Sequence, residues 1–127
     1  MIFKDKYDFL SNYFAYPIEY KGIKYTCVQS AFQAQKDISR SKEFSQLTGK
    51  QADKLGRTVN MRKDWNKVKI GIMYDILITK FKSPALRNKL NQVNETIIFD
   101  NDSDSFWGKV DGRGRNHLGR LLMQIKE

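Results

Sequence analysis

The spacing of hydrophobic and polar residues changes period several times along the chain. Phe3, Tyr7, Phe9, Tyr13, Phe14 and Tyr16 follow neither a helical nor a strand repeat, which predicts an irregular aromatic-rich start. Ile18–Tyr25 reads as a short hairpin turning at Lys21-Gly22. From Cys27 to Ile38 the period becomes helical, with Val28, Ala31, Phe32 and Gln35 at i, i+3, i+4 and i+7. Short helices follow over Ser41–Leu47 and Lys50–Leu55, with Gly49 and Gly56 as stops. The longest helix is predicted from an Asp64 N-cap to Lys82, burying a row of Trp65, Val68, Ile72 and Ile76 beside Met73, Leu77 and Phe81. Ser83-Pro84 is an N-cap followed by proline at the first helical position, opening a helix to Leu90. Glu95–Phe99 reads as a strand, and a last helix places Leu118, Leu121, Leu122 and Ile125 in the core. The pattern predicts an α+β, helix-dominated fold in one domain over residues 1–127.

Composition narrows the class. With 40% hydrophobic and 13% aromatic residues in 127, the chain can bury a core without a staple. A single cysteine, Cys27, excludes an internal disulfide framework and a cysteine zinc site. No apolar run approaches the ~20 residues that span a bilayer, and the first residues lack the apolar region of a signal peptide. These features predict no membrane partner and a cytoplasmic location, or host cytoplasm for a viral gene.

Charge adds a partner class. The net charge is +9, and Arg57–Lys89 holds nine basic residues against Asp64 and Asp75. Such a field attracts nucleic acid and phosphorylated small molecules alike, and a solvated lysine-rich surface has the same composition.

Candidate chemistry lies in two places. Four of the eight glycines fall between Gly108 and Gly119, in Asp104-Ser-Phe-Trp107-Gly108-Lys-Val-Asp-Gly112-Arg-Gly114-Arg-Asn116-His-Leu-Gly119. Glycines allow close backbone approach to a ligand, and Gly119 at a helix start leaves amides that can face phosphate. The spacing is neither a Walker loop nor a dinucleotide fingerprint. Asp100, Asp102 and Asp104 imitate half of a calcium loop, but Ser105 stands where glycine is needed and Asp111 where the closing glutamate belongs. His117 has no second histidine for a metal, so a packed or capping role is expected, with neither metal nor cofactor. On the first long helix, Gln29, Gln33 and Lys36 form a polar stripe at i, i+4 and i+7, either a solvated face or a pocket wall.

Seven segments in order then point to a family: Phe9-Leu-Ser-Asn-Tyr13, Ala31-Phe-Gln-Ala-Gln-Lys36, Leu55-Gly-Arg57, Arg62-Lys-Asp-Trp65, Lys80-Phe81, Asp104-Ser-Phe-Trp-Gly108 and Asn116-His-Leu-Gly-Arg-Leu-Leu-Met123. Together they closely resemble the NADAR, or YbiA-like, family over nearly the whole chain. The resemblance implies a small helix-rich α+β domain that cleaves N-glycosidic bonds of ribose phosphates. Family members hydrolyse a phosphorylated riboflavin-pathway intermediate or remove ADP-ribose from modified guanine in nucleic acid. It also implies that Ser11, Asn12, Gln33, Lys36, Arg57, Trp65, Asp104, Trp107 and Asn116 face the ligand, with Gln29, Gly108 and Gly119 beside them. Two positions depart from the family pattern. Glutamate is usual where Gln29 stands, and another often precedes the tryptophan motif, where this chain has Ile98 or Phe99.

Those residue types suit the chemistry. Breaking a C1′–N bond builds positive charge on the ribose, which a carboxylate such as Asp104 stabilises. Trp65 or Trp107 can stack on a base, Arg57 can hold phosphate, and a desolvated Lys36 can attack the opened sugar or donate a proton. The expected activities are, in order, release of ADP-ribose from a modified guanine, hydrolysis of the riboflavin-pathway intermediate, and binding of an ADP-ribose-like nucleotide without turnover.

Overall fold

The computed structural model describes residues 1–127 as two units, Asn12–Lys80 and Met1–Ser11 with Phe81–Glu127. Its regular elements are five α-helices, two 3₁₀ helices and one two-stranded hairpin, an α+β arrangement dominated by helix.

In Asn12–Lys80 the predicted hairpin forms from β1 (Ile18–Tyr20) and β2 (Ile23–Tyr25), antiparallel with Ile18 opposite Tyr25 and Tyr20 opposite Ile23. Helix α1 (Val28–Ala34) is buried at six of its seven positions and packs on the hairpin and on both other helices of this unit. Its start is held from outside, because Gln29 N donates to Asn12 O at 2.9 Å.

The helix is shorter than its apolar period, which runs to Ile38. Gln35 N and Lys36 N turn back to the i−3 carbonyls of Phe32 and Gln33, a tightening common at helix ends. Lys36 O then accepts Arg62 N at 2.8 Å, so the last carbonyl is satisfied by a different segment. A 3₁₀ helix over Ile38–Phe44 replaces the α-helix expected at Ser41–Leu47.

Helix α2 (Gly49–Gly56) includes the two glycines expected to stop its neighbours. Gly49 is its first residue because Thr48 builds a capping box with Gln51: Gln51 N donates to Thr48 Oγ1 and Thr48 N to Gln51 Oε1. Helix α3 (Trp65–Lys80) ends two residues before the predicted limit. It buries Trp65, Met73, Ile76, Leu77 and Lys80, while Val68 and Ile72 of the predicted row are half-buried. Apolar residues occupy most of its circumference, so periodicity alone cannot choose the face.

In the other unit, Asp5–Leu10 forms a 3₁₀ helix where irregular chain was expected, burying Phe9 and Leu10. Helix α4 (Pro84–Asn91) starts as predicted, with Ser83 Oγ accepting Leu86 N and proline in the first turn. Helix α5 (His117–Ile125) buries Leu118, Leu121, Leu122 and Ile125, also as predicted.

The strand expected at Glu95–Phe99 does not form. A side chain takes part of the place of a partner strand: Phe99 N donates to Asn116 Oδ1 at 2.9 Å, and Asn116 Nδ2 donates to Ile97 O at 3.0 Å, while Phe99 O accepts Lys109 N at 2.8 Å. An isolated backbone bridge follows it, between Asp100 and Lys109. Asn116 is 5% exposed and lies in the left-handed region at φ 53°. Removing its amide orphans a part-buried donor and a buried acceptor, so Asn116→Ala is expected to lose about 1–3 kcal/mol of stability. Urea unfolding measures this, and a loss below about 0.5 kcal/mol would mean that water replaces both contacts.

Candidate functional site

The polar stripe on α1 finds its partner on α2. Gln29 Nε2 and Gln33 Nε2 both donate to Asp53 Oδ1, at 2.7 and 3.1 Å, and the Tyr13 hydroxyl bonds Asp53 Oδ2. Gln33 is 8% exposed, whereas Gln29 and Asp53 are half-buried. The stripe is therefore neither bare surface nor core: it is a ring of hydrogen bonds around a carboxylate.

Close helix approach makes this ring possible. Gly49, Ala52, Asp53 and Gly56 occupy one face of α2 at i, i+3, i+4 and i+7. A Cβ at Gly56 would stand 2.1 Å from Gln33 Oε1, and one at Gly49 would stand 2.3 Å from the Tyr13 ring. Any larger residue at either place would displace a side chain that holds Asp53.

Lys36 follows Gln33 at the end of α1, half-buried. Burial pushes its amine below the usual lysine range; Asp53 pulls the other way, and the positive charges of Arg57 and Lys69 add to the lowering. No carboxylate closes an ion pair on its Nζ. Arg57 is the C-cap residue of α2, and its exposed guanidinium makes no ion pair or hydrogen bond within the chain. The unit thus sets a fixed carboxylate, a free guanidinium and Lys69 about one weakened cation, an arrangement suited to a phosphorylated ligand.

Two further residues named from sequence lie in the same unit. Asn12, 7% exposed, supports α1 through its carbonyl and donates through Nδ2 to Met73 Sδ at 3.6 Å. Its Oδ1 and Gln33 Oε1 are buried without a hydrogen-bond partner. Trp65 is 5% exposed and packed at 4.9 Å on the Phe32 ring, so it serves the core and offers no face for base stacking.

The remaining candidates lie in the other unit. Ser11 ends the first 3₁₀ helix, its N–H donating to Asp8 O. Asp104 Oδ1 accepts Phe106 N at 2.9 Å and Trp107 N at 2.8 Å, so this carboxylate shapes its own turn. The half-buried Trp107 meets Phe106 and His117 edge-on, and His117 is tilted 4.5 Å from Phe106, giving the packed histidine the sequence predicts.

Three positions expected at the ligand are instead occupied structurally. Asn116 spends its amide on residues 97 and 99. A Cβ at Gly108 would meet Phe99 O at 2.1 Å, and one at Gly119 would meet Ile97 O at 2.2 Å. These glycines admit neighbouring backbone, which accounts for both without a phosphate.

Sequence reading missed Asp53 and Tyr13. The available signal for Asp53 was the small-residue face of α2, on which a lone carboxylate is out of place; Tyr13 closes the segment Phe9–Tyr13.

Comparison with known proteins gives this geometry a context. An N-glycosidase of Nostoc punctiforme is 32% identical over 95% of this chain and 85% of its own length. The N-glycosidase YbiA of Escherichia coli is 33% identical over 97% of this chain and 82% of its own. The solution structure of Escherichia coli YbiA matches with a TM-score of 0.85 at 31% identity, covering 99% of this chain and 82% of that one. A riboflavin biosynthesis protein of Vibrio vulnificus is 30% identical over 97% of this chain, which spans 36% of that protein. The NADAR domain model matches residues 2–127, and with it the chain belongs to the NADAR family.

Proposed function

We propose that the chain is a hydrolase cleaving the C1′–N bond between a phosphorylated ribose and a nitrogenous base, with ADP-ribose carried on a guanine of nucleic acid as its substrate. The observation that carries this reading is Lys36: a half-buried amine without an ion-pair partner, pushed toward its neutral form beside the free guanidinium of Arg57. A neutral amine is a nucleophile for a sugar carbon, and a guanidinium is the bidentate partner of phosphate. In the net reaction the C1′–N bond breaks and its electron pair leaves on the base nitrogen. The hydroxyl of a water molecule ends on C1′, and the remaining proton of that water ends on the base.

The net charge of +9 favours the nucleic-acid substrate. A second reading, hydrolysis of a phosphorylated riboflavin precursor, is favoured by the name of the Vibrio vulnificus relative. Incubation with a guanine-ADP-ribosylated oligonucleotide and with the riboflavin precursor, at two salt concentrations, separates them. Released ADP-ribose with a steep loss of rate as salt rises supports the first. Salt-insensitive release from the small precursor alone supports the second, and no release from either at stoichiometric protein removes both.

Lys36→Met is expected to abolish turnover while raising Tm. The folded protein holds Lys36 below its unfolded proton affinity, so the charged amine costs stability at neutral pH, a cost that disappears as pH rises toward the unfolded value. Scanning calorimetry beside the base-release assay checks both halves. By the same sign, wild-type turnover should rise with pH on a limb lying below the usual lysine range, because the neutral amine attacks.

Gln29→Glu separates enzyme from simple binder. The substitution sets a second carboxylate within the 2.7 Å Gln29–Asp53 contact, where like charges disfavour joint ionisation. Turnover is expected to stay level or fall. A gain above about tenfold, worth roughly 1.4 kcal/mol of barrier, would mark the wild-type chain as a weakened relative.

A further inference from the structure

Asp53 is held far more firmly than a helix-surface carboxylate requires. Amide N–H groups can only donate, so Oδ1 accepts from both Gln29 and Gln33, and Oδ2 is bound by Tyr13. Gly49 and Gly56 keep those partners close. Among the charges that act on the Lys36 amine, Arg57 and Lys69 are positive and Asp53 alone is negative. Asp53 nevertheless closes no ion pair with it.

We infer that Asp53 is the electrostatic partner of Lys36, a positioning residue fixed by Gln29, Gln33 and Tyr13 that offsets the positive charge growing on Nζ as the amine bonds to the sugar carbon. The role rests on the glycosidase reading above and deepens it. Contact pairing would hold the amine protonated and unreactive. Out of contact, the carboxylate interacts more strongly with the full charge of the forming adduct than with the uncharged form of the amine that attacks. Both groups are half-buried, so solvent screens this interaction only in part. The carboxylate thereby supplies, from α2, a negative charge that the stripe Gln29, Gln33, Lys36 lacks on α1.

A plain structural role is the competing account, since Asp53 also ties α2 to α1 and to Tyr13. Asp53→Asn separates the two, because its Oδ1 can still accept both glutamine amides while the charge is gone. The probe is ribose 5-phosphate, whose open aldehyde condenses with a neutral amine to an imine and water. Borohydride delivers hydride to the imine carbon, and the resulting secondary amine is read by mass spectrometry. Lys36→Ala identifies the labelled site.

In Asp53→Asn the pH midpoint of trapping should move down, because the amine loses its attractive charge, and base release should fall by about 10²-fold. In Gln29→Glu/Asp53→Asn the donor and acceptor exchange across the same 2.7 Å contact. That variant should recover base release to within about tenfold of wild type, on the scale of a single displaced electrostatic contact. An unmoved midpoint, no recovery in the double variant, or no trapping of Lys36 in the wild type would each overturn the role. Failure of the glycosidase reading has its own signature: no base release by the wild type, while the trapping midpoint still moves in Asp53→Asn.

Discussion

Short polar side chains meet across two helices when small residues let the backbones come close. Helix α2 meets that condition with Gly49, Ala52 and Gly56 on a single face, and the rest of the Asn12–Lys80 site depends on it. The same face that lets Gln33 and Tyr13 approach also carries Asp53, so packing and electrostatics are set by one surface. The capping box at Thr48 fixes where α2 begins, and with it the rotation that points Asp53 at the two glutamines.

In the reaction proposed above, Lys36 carries a tension between folding and chemistry. A cation withdrawn from water without a contact partner weakens the fold, and proteins keep such groups where reactivity needs them. The backbone of Lys36 is secured independently of its side chain, by the bond from Arg62 N to its carbonyl and by the turn to Gln33 O. The amine can therefore be reactive while its main chain stays rigid.

Much of this fold was legible in local patterns. Ser83-Pro84 opened α4, Lys21-Gly22 turned the hairpin, and the leucine spacing of α5 named its buried face, because each is decided within a few residues. Glu95–Phe99 misled because its apolar pattern was right and its partner was not a strand; an asparagine nearly twenty residues away takes two of its backbone groups. Gly108 and Gly119 looked like ligand loops for a similar reason: a glycine that admits a substrate and one that admits a carbonyl oxygen are identical in sequence. The stripe Gln29, Gln33, Lys36 was visible from helical spacing. Asp53 was harder to see, since the small-residue face of α2 marks it as inward only once a second helix lies against that face.

The two tryptophans divide the molecule optically. Trp65 is sealed against Phe32 in the unit Asn12–Lys80, while Trp107 stands half-buried among Phe106 and His117 in the unit that holds the C-terminus. Each indole is thus an intrinsic fluorophore for one unit, with a dry surround in the first case and partial access to quenchers in the second. A pair of chains, each keeping one indole and carrying phenylalanine at the other position, would reveal by their emission whether the two units melt in a single cooperative step or in succession.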